Sequence, residues 1–214
     1  MTMIASVLHL DRRAMKALRI TDPYSLHRVV YSLFEDVRNE EQKHKSNSSG
    51  ILYADNGGDI HGRKILMLAN REPMEKVEGK YGEVQSRSIS EDYLLHKNYR
   101  FKVIVNPTRR DNESRKLLAV KGRDDIAKWF AERAQGSWGF DVAIQALQVD
   151  KVEVLQFKDK HQRQVTIGQA HIQGLLTVTD RAAFTKSFQQ GIGRARAFGC
   201  GLLQVVPVLE NPFD

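Results

Sequence analysis

The order of apolar segments in the second half of this chain restricts its fold more than any other feature. An alternating polar and apolar strand stops at Asn106-Pro107, a helix follows, and two strands then flank a basic turn before a second helix and a last strand. The segments are a strand at 99–105, a helix carrying Ile126, Trp129, Phe130 and Ala134 with Gly136 as its stop, strands at 152–157 and 164–178, a helix from Asp180 to about Gln190, and a strand at 202–208. This order is that of the split βαβ, ferredoxin-like arrangement, which RNA-recognition modules share.

The first half of the chain has the same opening, strand-helix-strand-strand, with a degenerate second half. Its segments are a strand at 4–10, a helix that begins at Thr21-Asp22-Pro23, a polar and mobile loop at 38–50, strands at 51–53 and 64–68, and no placed element between 71 and 95. We therefore expect an α+β protein of two tandem ferredoxin-like (RRM-like) domains, at 1–95 and 96–214. A chain of 214 residues is long enough for each domain to bury its own core.

The balance of charge favours an acidic partner. Lys and Arg number 33 against 26 Asp and Glu, which gives a formal charge of +7 and a pI of about 9.5. A basic surface attracts polyanions such as nucleic acid or anionic lipid. The sequence lacks the run of about 18 apolar residues that a membrane helix needs, so we expect a soluble, cytoplasmic protein without a membrane partner.

The first helix carries a stripe of residues that could cleave a phosphodiester. Its members are spaced i, i+3, i+4 and i+7, and so neighbour one another on the helix surface: Tyr24, His27, Arg28 and Tyr31. An imidazole can take the proton of a ribose 2′-hydroxyl near neutral pH, and the helix dipole at this end disfavours the imidazolium form. A guanidinium or phenol could hold the phosphate. An ordinary amphipathic helix with an exposed histidine is the alternative.

A basic turn between the two strands of the second half is a candidate for contact with nucleic acid. It holds four basic side chains in six residues, Lys158, Lys160, His161 and Arg163. A β-ribbon with these side chains could follow the phosphates of an RNA duplex, because A-form RNA is recognised more by shape than by its bases. Arg109 and Arg110 could extend the same surface. Charged hairpin tips are also common on surfaces without a ligand.

A glycine-rich segment between the last helix and the last strand is the third candidate. Four glycines and two arginines allow backbone amides to approach a phosphate closely, namely Gly191, Gly193, Arg194, Arg196, Gly199 and Gly201. The spacing fits neither a dinucleotide fingerprint nor a P-loop, and a tight structural connection is the alternative. Cys200 is expected to be a packed small residue instead of a nucleophile.

Metal and cofactor sites are not expected. The seven histidines form no paired ligand motif, and a single cysteine rules out a cysteine-based zinc cluster and an intrachain disulfide.

Four segments, in order, resemble the CasE family, the repeat-cleaving endoribonucleases of type I-E CRISPR systems. The glycine-rich segment, at 190–193 and 198–203, is the most specific of them. The others are Asp22-Pro23-Tyr24-Ser25-Leu26-His27-Arg28, which resembles the catalytic helix, the strand from Phe101 to the Asn106-Pro107-Thr108 turn, and Gly174-Leu175-Leu176-Thr177-Val178, which resembles a late strand.

The resemblance implies two ferredoxin-like domains and a stem-loop CRISPR repeat RNA as substrate. It implies metal-independent, cofactor-independent cleavage by the 2′-hydroxyl, with a 2′,3′-cyclic phosphate (or its ring-opened form) and a 5′-hydroxyl as products. His27 matches the catalytic histidine and Tyr24 its partner tyrosine, while Arg28 follows the histidine as in some members. The basic hairpin matches the ribbon that enters the RNA stem. The product crRNA is expected to remain bound, with other subunits of the Cascade complex as partners.

Two other functions are compatible with the same residues. The chain could be a non-catalytic RNA-binding subunit of that complex. A basic DNA-binding regulator is the third reading, although the sequence has no recognisable groove-reading helix.

Overall fold

The computed structural model describes residues 2–37 and 49–208. Most of the loop expected at 38–50 therefore lies outside the described residues.

The chain divides into two compact units. Unit 1 contains Met1–Ser90 and Ala197–Gly199, and unit 2 contains Glu91–Arg196 and Cys200–Asp214. The domain limits 1–95 and 96–214 stay a prediction.

Unit 1 is a four-stranded antiparallel sheet with two helices among its described residues. The strands are β1 (Met3–Leu10), β2 (Ile51–Asp59), β3 (Gly62–Ala69) and β4 (Glu83–Ile89), and the helices are α1 (Arg12–Ala17) and α2 (Pro23–Ser32). The strand order is β2-β3-β1-β4, so β1 is paired on both edges, with β3 and with β4. This is the ferredoxin-like order.

The degenerate second half of this unit is confirmed. Between β3 and β4 the chain runs from Asn70 to Gly82 through turns and bends instead of a helix. This segment holds Pro73, Gly79 and Gly82, residues that interrupt helices. At Gly82 the φ angle is +66°, and a Cβ would lie 2.9 Å from the carbonyl oxygen of His9, so only glycine fits this approach to β1.

Helix α2 begins where the sequence predicts, because its first turn is capped from both sides. The Asp22 carboxylate accepts from the Ser25 backbone N–H at 2.7 Å, and the Ser25 hydroxyl accepts from the Asp22 N–H at 3.0 Å. Leu26, Val29 and Val30 are buried in the core of unit 1. Because that face is buried, the adjacent stripe that starts at Tyr24 stays available for a functional role.

Unit 2 is a five-stranded antiparallel sheet with two α-helices and a small separate ribbon among its described residues. The main strands are β5 (Asn98–Val105), β8 (Phe140–Val142), β9 (Gln148–Lys158), β10 (Gln164–Val178) and β11 (Gln204–Pro207), the ribbon is β6 (Thr108–Arg110) with β7 (Leu117–Ala119), and the helices are α3 (Arg123–Arg133) and α4 (Arg181–Gln190). The order is β11-β5-β10, with β9 and β8 both pairing β10. The α+β, tandem ferredoxin-like fold class is thus confirmed.

The end of α3 differs from the prediction of a stop at Gly136. The helix continues as a π-helical turn over Ala134–Trp138 and ends at Gly139, whose φ is +78°. A Cβ at Gly139 would lie 2.4 Å from the Phe184 backbone nitrogen, whereas one at Gly136 would meet nothing within 4 Å. The stop is therefore set by the close approach of α4 at residue 139.

Among the described residues, none of the helices is both long enough and apolar enough to cross a membrane.

The capping box of α2 gives a test of what holds the stripe in position. We expect Asp22→Ala to lower the free energy of unfolding by about 1 kcal/mol, because one donor of the first turn loses its acceptor. Asp22→Asn keeps an oxygen acceptor and is the matched control, expected to change stability much less. Chemical denaturation followed by circular dichroism measures both, and equal losses would contradict a capping role.

Candidate active site

The imidazole of His27 is oriented by a backbone carbonyl far away in the sequence. His27 lies half-buried on α2, and its Nδ1 is 2.7 Å from the carbonyl oxygen of Ala197, within unit 1. A carbonyl can only accept, so Nδ1 carries the proton and donates. In the neutral ring the basic lone pair is then on Nε2. The contact selects the tautomer that a general base needs.

Aromatic rings fix the plane of this imidazole. The ring centroid of Tyr31 lies 4.1 Å from that of His27, the Phe198 centroid lies at 5.5 Å, and the Tyr24 ring is stacked at 6.2 Å. Tyr31 is itself held, since its hydroxyl accepts from the Ser49 hydroxyl at 3.2 Å. These contacts restrict rotation of the imidazole about both of its side-chain torsions.

The segment that supplies the carbonyl is also fixed. The hydroxyl of Tyr53, a buried residue of β2, donates to the same Ala197 oxygen at 3.1 Å. Gly199 has a φ of +80°, and a Cβ there would lie 3.3 Å from the Tyr53 ring. Two donors and a tightly packed glycine therefore set where the His27 partner lies.

Arg28 projects from the helix into solvent. It is exposed, and among the described residues no hydrogen bond or ion pair engages its guanidinium. It follows His27 directly, and consecutive residues on a helix do not face each other. The structure thus brings Tyr24 and His27 together, while Arg28 stands beside them as an available cation.

The basic hairpin is formed by β9, β10 and a five-residue turn over 159–163. Lys158, Lys160 and Arg163 are all exposed. The carboxylate of Asp159 accepts from the backbone N–H groups of His161 and Arg163 at 2.8 and 2.9 Å. These backbone hydrogen bonds, the one from Arg163 first, lower the pKa of Asp159. The acidic residue in the basic turn therefore organises the turn's backbone.

The glycine-rich segment folds back on itself, so that its two ends meet in unit 2. Gly191, Gly193 and Gly201 all have positive φ, and a Cβ at Gly201 would lie 2.4 Å from the Ile192 carbonyl oxygen. The guanidinium of Arg196 donates to the Gln190 carbonyl at the end of α4, at 2.6 Å. This arginine closes the loop in addition to any part in binding.

Cys200 is not available as a nucleophile. It is fully buried, and its Sγ accepts from the Gln169 side-chain amide at 3.3 Å. Burial raises the pKa of the thiol to about 12, so the thiolate is scarce at neutral pH. The expectation of a packed small residue is confirmed.

Arg109 and Arg110 lie on β6 of the small ribbon, and both are exposed. The side chain of Arg110 lines a cavity of about 270 Å³ in unit 2, and Arg194 of the glycine-rich segment lines the same cavity. The structure thus joins two of the predicted RNA-binding arginines that are far apart in the sequence.

Several residues of these sites were not found from the sequence. Ala197 acts through its backbone, which no side-chain motif reveals. Tyr53 and Phe198 lie in apolar surroundings that predict core residues, and only their contacts with residue 197 or His27 give them a role. In the ranges 2–37 and 49–208, no three His, Cys, Asp or Glu side chains are grouped closely enough to hold a metal ion.

Solved structures with the same fold come from CRISPR systems. Thermus thermophilus Cse3 bound to an RNA representing a pre-cleavage complex matches with a TM-score of 0.77 and 19% identity, over 97% of this chain and 100% of that one. Cas6e from Escherichia coli K-12 matches with a TM-score of 0.61 and 19% identity, over 96% and 100%. A chain of a CRISPR RNA-guided surveillance complex matches with a TM-score of 0.67 and 18% identity, over 96% and 100%. At such identities the likeness establishes the fold.

The sequence itself identifies the family. No curated protein matches it significantly. The model of the CRISPR-associated protein family, in contrast, matches residues 3–207, nearly the whole of the chain. This chain therefore belongs to the family of CRISPR-associated proteins, as the resemblance in its sequence predicts.

Proposed function

We propose that this protein is a type I-E, CasE-like endoribonuclease that binds the stem-loop of a CRISPR repeat RNA and cleaves the precursor transcript. The observation that carries the proposal is the hydrogen bond from His27 Nδ1 to the Ala197 carbonyl, on the helix that resembles the CasE catalytic helix. Full-length likeness to an endoribonuclease, Cse3, in complex with RNA supports it.

The reaction is an intramolecular transesterification. Nε2 of His27 takes the proton of the ribose 2′-hydroxyl, the 2′-oxygen forms a bond with the neighbouring phosphorus, and the bond from phosphorus to the 5′-oxygen breaks. The departing 5′-oxygen gains a proton and becomes a 5′-hydroxyl, and the other product ends in a 2′,3′-cyclic phosphate. A neutral imidazole suits this task because it can accept a proton near neutral pH. The step requires no metal ion and no cofactor.

Tyr24 and Arg28 act on the phosphate. The phenol of Tyr24 is one helical turn before His27 on the same face, where it can donate a hydrogen bond to a phosphate oxygen. The exposed guanidinium of Arg28 can offset the negative charge that grows on that phosphate during attack.

The basic hairpin binds the RNA stem. Lys158, Lys160 and Arg163 are exposed at the end of a long two-stranded ribbon, where they can contact phosphates on both sides of a groove. Arg109, Arg110, Arg194 and Arg196, with the backbone at Gly191, Gly193, Gly199 and Gly201, extend the contacts to other phosphates.

The bound product gives the protein its partners. We infer that it keeps the crRNA after cleavage and joins the other Cascade subunits in the cytoplasm. Its likeness to a chain of a CRISPR RNA-guided surveillance complex supports this role.

Substitution of the base tests the mechanism directly. We expect His27→Ala to lower the single-turnover rate of hairpin cleavage by ~10²–10⁴-fold while RNA affinity stays nearly unchanged, because the imidazole moves a proton and adds little to binding. His61→Ala, which removes an exposed histidine of unit 1, is the matched control and should cut at the wild-type rate. A labelled repeat RNA in EDTA is the substrate.

The substrate provides the complementary control. A 2′-deoxy substitution at the scissile nucleotide should abolish cleavage and leave binding intact. Binding without any cleavage by the wild-type protein would favour a non-catalytic RNA-binding subunit. Equal affinity for a DNA duplex of the same sequence would favour a DNA-binding regulator.

The turn of the basic hairpin offers a pair of variants with the same charge. Asp159→Asn keeps an oxygen acceptor for the two backbone N–H groups and removes a negative charge, so we expect it to bind the hairpin RNA about two- to fivefold more tightly. Asp159→Ala removes the same charge and also the acceptor. Because the turn should then lose its ordered shape, we expect this variant to bind about tenfold more weakly than Asp159→Asn. Fluorescence anisotropy measures both. Equal affinities of the two variants would show that the shape of the turn is irrelevant to binding.

A further inference from the structure

The cavity in unit 2 that Arg110 and Arg194 share has a distinctive charge. Arg133, at the end of α3, is a third guanidinium on its wall, and no carboxylate among the described residues lines it. All three arginines are exposed, and within the described part of the chain they make no ion pair or hydrogen bond. The cavity therefore presents positive charge that the described protein leaves uncompensated.

A larger cavity in unit 1 shows that uncompensated positive charge is not a general property of the cavities in this molecule. Its volume is about 540 Å³, and it too has several cations on its wall. Three carboxylates, of Asp11, Asp59 and Glu83, lie among them. These carboxylates offset the cations of that cavity, so we expect it to bind an anion more weakly.

The floor of the arginine cavity is aromatic and rigid. Trp129 and Trp138 line it, with ring centroids 6.0 Å apart in an edge arrangement and 8% of each residue exposed. The indole N–H of Trp129 donates to the Thr108 carbonyl at 3.1 Å, which fixes the ring. Trp138 is the last residue of the π-helical turn that extends α3, and such turns occur frequently at functional sites.

We propose that this cavity binds one unpaired nucleotide of the RNA, outside the stem, with its phosphate on the three guanidiniums and its base against the two tryptophans. The inference rests on the proposed function, because it assumes that the ligand is RNA, and it adds a second subsite on unit 2.

The size and the lining of the cavity lead to this ligand. Its volume of about 270 Å³ lies just below the roughly 300–1,000 Å³ of small-molecule sites. A cavity of this size can hold one nucleotide but not a duplex. A base within a stem has both faces covered by its neighbours, so only an unpaired base can contact an apolar floor. Guanidinium groups bind phosphate oxygens with matched geometry.

The two tryptophans are also the only ones in the chain, so tryptophan fluorescence reports on this cavity directly. We would titrate His27→Ala protein with two uncleavable RNAs, a blunt hairpin and the same hairpin with single-stranded flanks, and follow tryptophan emission. We expect a saturable change of emission with the flanked RNA and little change with the blunt one, because only the flank can reach the indoles.

A charge-matched pair of variants on α3 tests the phosphate contact. Arg133→Gln should reduce the affinity advantage of the flanked RNA over the blunt hairpin by about five- to tenfold, the scale of one net hydrogen bond to the phosphate. Lys128→Gln removes an exposed cation of the same helix outside the cavity and should leave that advantage unchanged.

The outcomes separate this inference from the function itself. Identical emission changes with both RNAs, or an unchanged advantage in Arg133→Gln, would overturn the nucleotide subsite even if the wild-type protein cuts the hairpin. Emission that responds to purified Cascade subunits and not to flanked RNA would overturn it in favour of a protein ligand. An emission change with the flanked RNA and not with the blunt hairpin supports the subsite whether or not cleavage is seen, since the measurement uses uncleavable substrates.

Discussion

The proposed chemistry depends on one hydrogen bond, from the imidazole of His27 to the carbonyl oxygen of Ala197. A histidine on a helix surface normally has several rotamers and two neutral tautomers, and only one combination leaves a basic nitrogen in a defined place. The carbonyl selects the tautomer, and the rings of Tyr31 and Phe198 restrict the rotamer. Tyr53 and Gly199 then fix the carbonyl, so the precision of the site comes from hydrogen bonds and packing around Ala197.

Much of the fold could be predicted from the sequence because the signals are local. Asp22-Pro23 begins a helix by satisfying its own first turn, and the spacing of Leu26, Val29 and Val30 determines which face is buried. Once that face is known, the position of His27 beside Tyr24 and Tyr31 follows from 3.6 residues per turn. The order of the main elements of unit 2, from β5 to β11, could be predicted for the same reason, whereas the short strands β6, β7 and β8 were not predicted.

The remaining features depend on contacts between distant residues. Strand β4 was missed because its sequence is largely polar, and its pairing with β1 shows only in contacts such as that of the Ser6 and Ser86 hydroxyls, at 2.9 Å. The partner of His27 is 170 residues away and is a backbone atom. The helix ends at Gly139 because α4 approaches closely there, so the prediction of an end at Gly136 is wrong. No periodicity encodes such contacts.

Charged residues in the motifs divide into those that the fold uses and those that it leaves available, and the sequence does not distinguish them. Asp159 and Arg196 hold turns together through backbone groups. Arg110 and Arg194, in contrast, have no described partner and converge on one cavity. Because a guanidinium already committed to a carbonyl has fewer donors left for a phosphate, the available arginines should contribute more to RNA affinity than their number alone predicts. The affinity of a basic protein for RNA therefore depends on which of its cationic side chains make no hydrogen bond or ion pair within the fold.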